Sequence, residues 1–140
     1  MIEVDKQLPS PEEYNDLRKS VGWAIYNKQE VSDGLKGSLY TVSVREEGKL
    51  IAFGRVIGDG SITFYIQDVI VVPEKRGRGY ARIVMENIMD YLRGTAAKGA
   101  VIGLMSAAGV ENIYKKFGFI ERPAGKHLGA GMTLPANWNG

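Results

Sequence analysis

The stretch Val71-Val72-Pro73-Glu74-Lys75-Arg76-Gly77-Arg78-Gly79-Tyr80-Ala81 joins an apolar segment to a basic, glycine-rich loop. The run Val69–Val72, which leads into it, is typical of a strand buried on both faces. Residues from Gly79 to Arg93 place their apolar side chains at helical spacing, so they predict an amphipathic helix. The sequence therefore predicts a buried strand, a short loop and a helix that begins directly after the loop.

This loop has the chemistry of a phosphate-binding site. The first turn of a helix carries unpaired N–H groups and a partial positive charge. Gly77 and Gly79 let a phosphate approach the backbone without meeting a Cβ, while Arg76 and Arg78 offer charge-assisted hydrogen bonds. Arg82, one turn later, extends the same basic region. Taken alone, such a loop is more often a tight turn whose glycines serve only the backbone.

The rest of the chain alternates between predicted strands and helices. Strands are predicted at Met1–Val4, Leu39–Val44, Leu50–Ile57, Ile62–Val72, Ala100–Met105, Phe119–Arg122 and Met132–Leu134. Helices are predicted at Ser10–Ser20, Lys28–Leu35, Gly79–Arg93, ended by Gly94, and Val110–Phe117. An antiparallel hairpin beside a strand–helix–strand crossover, which must be right-handed and parallel, gives an α/β fold with a mixed sheet.

Composition limits the class of protein. A chain of 140 residues, 44% hydrophobic and 24% charged, predicts one soluble domain over residues 1–140. The absence of cysteine excludes disulfides, thiolate catalysis and cysteine-based metal sites, and we expect no metal. No apolar run approaches the ~20 residues that span a bilayer, and no secretory leader is visible, so a cytoplasmic protein without membrane contact is expected. A net charge of +2 does not indicate nucleic-acid binding.

Two motifs resemble the GNAT superfamily of acyl-CoA-dependent N-acetyltransferases. Arg76–Ala81 matches every fixed position of that family's motif [RQ]-x-x-G-x-[GA], and Val71–Glu74 matches its usual V-x-P-E lead-in. Ile113–Phe119 resembles the second signature, a short helix that ends in a sequence like Y-x-K-x-G-F. The motifs span roughly Ile62–Arg122, and the order of elements extends the resemblance over the whole chain.

The resemblance implies a fold and a cosubstrate. The fold is a central twisted mixed sheet of six to seven strands, with about four helices on both faces. The cosubstrate is acetyl-CoA, whose pyrophosphate would be held by Arg76, Gly77, Arg78, Gly79, Tyr80, Ala81 and Arg82. In the family, the strand before this loop usually carries a bulge and splays from its parallel neighbour. The backbone of Val69, Ile70 and Val71 would then pair with pantetheine and polarise the acetyl carbonyl.

The resemblance also suggests catalytic groups. Tyr114 matches the tyrosine that commonly protonates or hydrogen-bonds the leaving sulfur, although a packed aromatic is the alternative. Asp68 is the leading candidate for a general base, ahead of Glu46 and Glu111. A hydrogen-bonded structural aspartate remains the alternative, because a carboxylate in an apolar strand needs a partner. Several relatives use a water relay in place of a side-chain base.

The acceptor is expected to bind near the first helices and the loops that flank the last strands. Trp23, Tyr26, Tyr65 and Gln67 are the candidate substrate-binding residues, each with a structural alternative. The only histidine, His127, lies in a glycine-rich loop and is expected to be solvated. Many relatives carry a cofactor-contacting asparagine at the position of Ala107. Ser106 could replace that contact, and what replaces it is left open.

The sequence therefore predicts transfer of an acetyl group from acetyl-CoA to a primary amine of a small molecule, by direct transfer in a ternary complex. The alternatives are a non-catalytic acyl-CoA sensor and an acetyltransferase of proteins or peptides. No nucleic-acid partner is expected, and a homodimer is left open.

Overall fold

The computed structural model describes all 140 residues, which form two compact units, Met1–Leu104 and Met105–Gly140. The first unit contains a five-stranded sheet and three α-helices; the second contains one short helix. The strands are β1 (Ile2–Asp5), β2 (Tyr40–Glu46), β3 (Lys49–Gly58), β4 (Thr63–Val71) and β5 (Val101–Leu104). The helices are α1 (Pro11–Ser20), α2 (Lys28–Lys36), α3 (Tyr80–Thr95) and α4 (Glu111–Lys115).

The sheet has the mixed topology that the sequence predicts. Its strand order is β1-β2-β3-β4-β5, and the pairs β1–β2, β2–β3 and β3–β4 are antiparallel. β4 and β5 pair in parallel and are joined through α3. The mixed α/β class is therefore confirmed.

The two faces of β3 are covered by different helices. Phe53 belongs to a core cluster with Tyr14 and Leu17 of α1 and with Val31 and Leu35 of α2. The next residue, Gly54, points to the opposite face because side chains alternate along a strand. There it meets Val84 and Ile88 of α3. Helices thus lie on both faces of the sheet. Because β4 belongs to the same sheet, α1 and α2 lie on one side of it and α3 lies on the other.

The prediction of a sixth and a seventh strand was wrong. Residues 119–123 and 129–135 lie outside any β-ladder, and the segment contains only an isolated bridge between Ala124 and Leu128. Most of these side chains are exposed, and Pro123 lacks the N–H that a ladder needs. β-forming residues such as Ile120 and Met132 misled the prediction because propensity alone does not supply a pairing strand.

Two helix boundaries also differ from the prediction. Gly94 lies inside α3, which ends one residue later, at Thr95, and the N–H of Ala96 then donates to the carbonyl of Leu92. α4 is shorter than predicted, covering Glu111–Lys115. Helix α1 begins as expected: Ser10 and Glu13 form a capping box, with Pro11 in the first turn.

Gly54→Ala is expected to lower the free energy of unfolding by about 1–3 kcal/mol, the usual cost of overpacking. A Cβ at this position would lie 2.5 Å from Val84 Cγ1 and 3.0 Å from Ile88 Cδ1. Urea unfolding would measure the effect. Gly94→Ala is the matched control, because a Cβ at this position meets nothing within 4 Å. A glycine inside a helix costs roughly 0.5–1 kcal/mol of stability relative to alanine, so the control variant should be slightly more stable than the wild type. Equal stability of the Gly54 variant and the wild type would contradict this packing argument.

Candidate functional site

The basic loop occupies the turn between β4 and α3. A 3-10 turn at Pro73–Lys75 precedes it, and Gly79 is the N-cap residue of α3. Gly77 and Gly79 have φ angles of 77° and 85°, which disfavour any residue with a side chain. A Cβ at either position would meet nothing within 4 Å, so the space above the backbone is open. The loop is thus shaped to let a ligand approach its backbone.

The charges around this loop suit an anion. No side chain caps the start of α3, and its first turn contains no acidic residue. Arg76 and Arg78 are exposed. Two neighbouring cations have partners of their own: Lys75 Nζ lies 2.6 Å from Glu46 Oε1, and Arg82 Nε lies 2.6 Å from Glu86 Oε1. Arg76 and Arg78 are therefore the better placed of the predicted phosphate ligands.

β4 carries a bulge at Asp68. Phe53 of β3 faces Ile70, whereas Arg55, two residues later, faces Gln67, so β4 contains one extra residue. Asp68 accommodates it with a φ of 59°, an uncommon value for a non-glycine residue. The resemblance implies a bulge in this strand.

The parallel pairing of β4 stops before the bulge. It runs from Thr63 opposite Val101 to Ile66 opposite Leu104, where β5 ends. β4 continues to Val71, so residues 67–71 extend past the end of β5. Val69, Ile70 and Val71 lie in this segment, whose β5-facing edge can pair with an extended ligand.

Asp68 is held by four side chains, one of which is its neighbour Gln67, whose Nε2 donates to Asp68 Oδ1 at 3.4 Å. Asp68 Oδ1 also accepts from Arg18 Nη1 at 2.8 Å, and its Oδ2 accepts from Tyr14 Oη at 2.5 Å and from Arg55 Nε at 2.8 Å. The Asp68 side chain is 0% exposed. Such a carboxylate compensates two buried guanidinium groups and has no open position for an amine proton. These contacts favour the structural alternative for Asp68 over the predicted general base.

Tyr14 completes this buried network as a hydrogen-bond donor. Burial, followed by the negative charge of Asp68, raises the pKa of Tyr14 to about 12. The phenol therefore keeps its proton throughout the neutral range. Sequence reasoning missed Tyr14, Arg18 and Arg55. The one available signal was weak: Tyr14 and Arg18 are four residues apart and so share the buried face of α1.

A cavity of about 350 Å³ lies above this network, within the first unit. It is lined by Tyr14, Arg18, Tyr26, Glu30, Val31, Gly34, Leu35, Arg55 and Gln67. Two predicted substrate-binding residues, Tyr26 and Gln67, are therefore brought together. Trp23 packs against the core, with its ring centroid 5.3 Å from Arg18 Cζ. Tyr65 is half-buried on β4 and is not among the lining residues.

Tyr114 lies on α4 of the second unit and is buried there. Its ring meets that of Phe119 edge to face, with centroids 6.3 Å apart. Burial raises the pKa of the Tyr114 hydroxyl, so the group is protonated at neutral pH. A buried phenol that retains its proton can serve as a general acid, and it can equally serve as packing; its role stays a prediction.

The remaining predicted groups differ in their surroundings. The Lys75 ammonium holds the pKa of Glu46 below its usual value, which makes that carboxylate a weaker base. Glu111 lies in the first turn of α4. The Ser106 hydroxyl donates to the carbonyl of Ala107, and His127 is exposed.

None of the helices is both long and apolar enough to cross a membrane.

Comparison with known proteins gives a consistent result. The profile of the Acetyltransferase (GNAT) family matches residues 5–119. The uncharacterized N-acetyltransferase ycf52 of Pyropia yezoensis is 32% identical over 117 residues, covering 81% of this chain. The serotonin N-acetyltransferase 2, chloroplastic, of Oryza sativa is 36% identical over 76 residues, covering 54% of this chain. The chain spans 66% and 37% of these two relatives.

Among solved structures, a protein of unknown function from meticillin-resistant Staphylococcus aureus, described as a probable acetyltransferase, is similar throughout. It is 31% identical, with a TM-score of 0.87. The match covers 96% of this chain and 99% of the Staphylococcus chain.

Proposed function

Because the chain belongs to the GNAT family of acetyltransferases, we propose that it transfers an acetyl group from acetyl-CoA to a primary amine of a small molecule. Members of this family use acetyl-CoA. The observation that carries the proposal is the succession of a bulged strand with an open edge, a basic glycine loop and an uncapped helix start. An extended thioester with a pyrophosphate at one end fits that succession.

The loop would hold the cosubstrate by its pyrophosphate. Backbone N–H groups at the start of α3 and the guanidinium groups of Arg76 and Arg78 are the donors. The free edge at residues 67–71 of β4 would pair with the pantetheine amides, and a backbone N–H among Val69, Ile70 and Val71 would polarise the acetyl carbonyl.

The reaction would proceed by direct transfer. The amine nitrogen attacks the thioester carbon, the C–N bond forms, the C–S bond breaks, and the sulfur leaves as a thiolate that takes up a proton. Tyr114 is proposed as the donor of that proton, on the strength of the motif match and the raised pKa. The proton lost by the nitrogen would pass to a water relay, since the Asp68 carboxylate is fully engaged.

A small-molecule acceptor fits the cavity of about 350 Å³, which lies in the usual size range for such ligands. The rice relative is named for serotonin, a small primary amine. A single domain over residues 1–140 and a cytoplasmic location accord with this proposal and stay predictions.

Binding and turnover can be tested separately. Acetyl-CoA should raise the melting temperature, and incubation with a panel of small primary amines should release free thiol. The absence of any thermal shift with acetyl-CoA would overturn the proposal. A shift without thiol release from any amine would indicate an acyl-CoA sensor instead.

Tyr114→Phe is expected to lower kcat about 100-fold, the lower range for loss of a general acid, while acetyl-CoA affinity stays close to that of the wild type. In the wild type, the activity that depends on Tyr114 should persist to a pH above the ordinary tyrosine range of about 10, because burial raises this pKa. Steady-state kinetics across pH would measure both effects. Tyr91→Phe, which removes a hydroxyl from the ring stacked on Tyr40, is the control. An unchanged kcat in Tyr114→Phe would exclude this residue as the acid.

A further inference from the structure

The polar groups that line the cavity are arranged asymmetrically. The deep part of the cavity contains Arg18 and Arg55, whose side chains are 9% and 15% exposed. Glu30, on α2, is an exposed residue. Two guanidinium groups face the single carboxylate of Asp68, so the buried network carries one excess positive charge. The inner part of the cavity is therefore electropositive.

Both arginines retain donors for a ligand. A guanidinium has five N–H groups. Arg18 donates through Nε to the carbonyl of Ala24 and through Nη1 to Asp68. Arg55 donates through Nε to Asp68 and through Nη1 to Gly34 and Ser38. Nη2 of each side chain takes no part in these bonds and can bind an anion.

The surroundings of Arg18 hold its guanidinium in place. Its Cζ lies 5.8 Å from the ring centroid of Tyr14, 5.3 Å from that of Trp23 and 5.1 Å from that of Tyr26. Aromatic faces stabilise a cation without using its N–H donors. A guanidinium fixed in this way loses little conformational freedom when it binds an anionic ligand.

Gln67 offers the complementary group for an amine. Its Nε2 lies 3.4 Å from Asp68 Oδ1. An ionised carboxylate only accepts hydrogen bonds, so the amide turns its NH₂ group toward Asp68. The Gln67 carbonyl oxygen is then left to accept an N–H from an amine in the cavity.

We propose that the acceptor carries an anionic oxyacid group, a carboxylate or a phosphate, in addition to its primary amine. The anion binds Arg18 and Arg55, and the amine is oriented by Gln67 toward the open edge of β4. The one excess positive charge of the network also favours the neutral form of the amine, which is the form that attacks a thioester. This inference rests on the proposed acetyltransferase function and narrows its substrate class.

A polycationic acceptor is the competing class, and the cavity suits it poorly. The only carboxylates at this site are that of Asp68, which both arginines neutralise, and that of Glu30. One Glu30 oxygen already accepts the N–H of Asn27 as part of the cap of α2. A polyamine would place its second charge against Arg18 and Arg55.

Matched acceptor pairs test the proposal on the wild-type protein. 3-Aminopropanoate is compared with 3-aminopropanamide, aminoethyl phosphate with ethanolamine, and spermidine represents the polycations. We expect kcat/KM to be at least tenfold higher for the anionic member of one pair, about the contribution of a charge-assisted hydrogen bond. The pair that shows the preference identifies the anion as carboxylate or phosphate. Equal rates within both pairs, or a preference for spermidine, would overturn the inference.

The variant Arg55→Lys keeps the positive charge beside Asp68 and removes the guanidinium fork. It should raise KM for the anionic acceptor about tenfold and leave KM for its neutral counterpart nearly unchanged. Arg45→Lys is the matched control: Arg45 lies on the neighbouring strand, pairs with Glu13 and Asp5, and is not a lining residue. An equal rise in both KM values, or the same change in Arg45→Lys, would count against the inference. Should Arg55→Lys fail to fold, the wild-type comparison decides alone.

These outcomes separate the inference from the proposed function. Loss of acetyl-CoA binding or of turnover with every amine would refute the function itself. Turnover without preference for an anionic acceptor would refute only the substrate class.

Discussion

Asp68→Ala is expected to lower the free energy of unfolding by about 3–5 kcal/mol, the range for breaking a buried ion pair by removing one partner. The substitution leaves Arg18 and Arg55 without their common carboxylate in the interior of the first unit. It also removes the acceptor for the Tyr14 hydroxyl. Urea unfolding followed by circular dichroism would measure the loss.

Asp90→Ala provides the control for this experiment. Asp90 pairs with Arg93 on the surface of α3, with side chains 79% and 67% exposed, so its loss should change stability by less than about 0.5 kcal/mol. Equal effects of the two substitutions would contradict the structural role. Asp68→Asn separates that role from catalysis, because a variant of normal stability with strongly reduced kcat would restore Asp68 as the general base.

Reversing both charges in the loop, with Arg76→Glu and Arg78→Glu together, is expected to weaken acetyl-CoA binding at least 100-fold. Each arginine supplies a charge-assisted hydrogen bond worth about 1.5–3 kcal/mol, and each glutamate adds repulsion of the pyrophosphate. Both side chains are exposed, so the core should be unaffected. Isothermal titration calorimetry would measure the dissociation constant, and thermal unfolding of the free protein would verify the fold.

Arg93→Glu is the comparison for this double variant, because Arg93 is an exposed arginine in the last turn of α3, the helix that begins at the loop. Its dissociation constant for acetyl-CoA should lie within about twofold of the wild-type value, because physiological salt screens the attraction between a distant surface charge and the cosubstrate. An unchanged dissociation constant in the double variant would show that the cosubstrate is held elsewhere.

The parts of the fold that the sequence predicted well are those in which local pattern and tertiary environment agree. The hairpin of β2 and β3, the buried strand β4 and the glycine loop before α3 all have signals within a few residues. The resemblance to GNAT proteins added the bulge and the open edge, which no local pattern of Gln67–Val71 would have revealed.

The buried network could not be predicted because its members are distant in sequence. Asp68 meets Tyr14 and Arg18 across 54 and 50 residues. The sequence indicated that Asp68 lies in an apolar strand and needs a partner, but it could not identify the partners. The strands predicted after Phe119 failed for the related reason that β-forming residues do not reveal whether a neighbouring strand is present to pair with them.

Gly54 has a consequence for how the helix after the glycine loop is placed relative to the bulged strand. It faces α3 at the level of the bulge, where its missing side chain lets Val84 and Ile88 approach β3 beside Val69. The start of α3 marks the proposed pyrophosphate end of the cosubstrate, and the bulge marks the acetyl end. The close approach of α3 to β3 at Gly54 therefore holds the helix that begins at the glycine loop against the sheet that carries the bulge. Any side chain at position 54 would separate helix and sheet, so we expect only glycine to be compatible with this spacing.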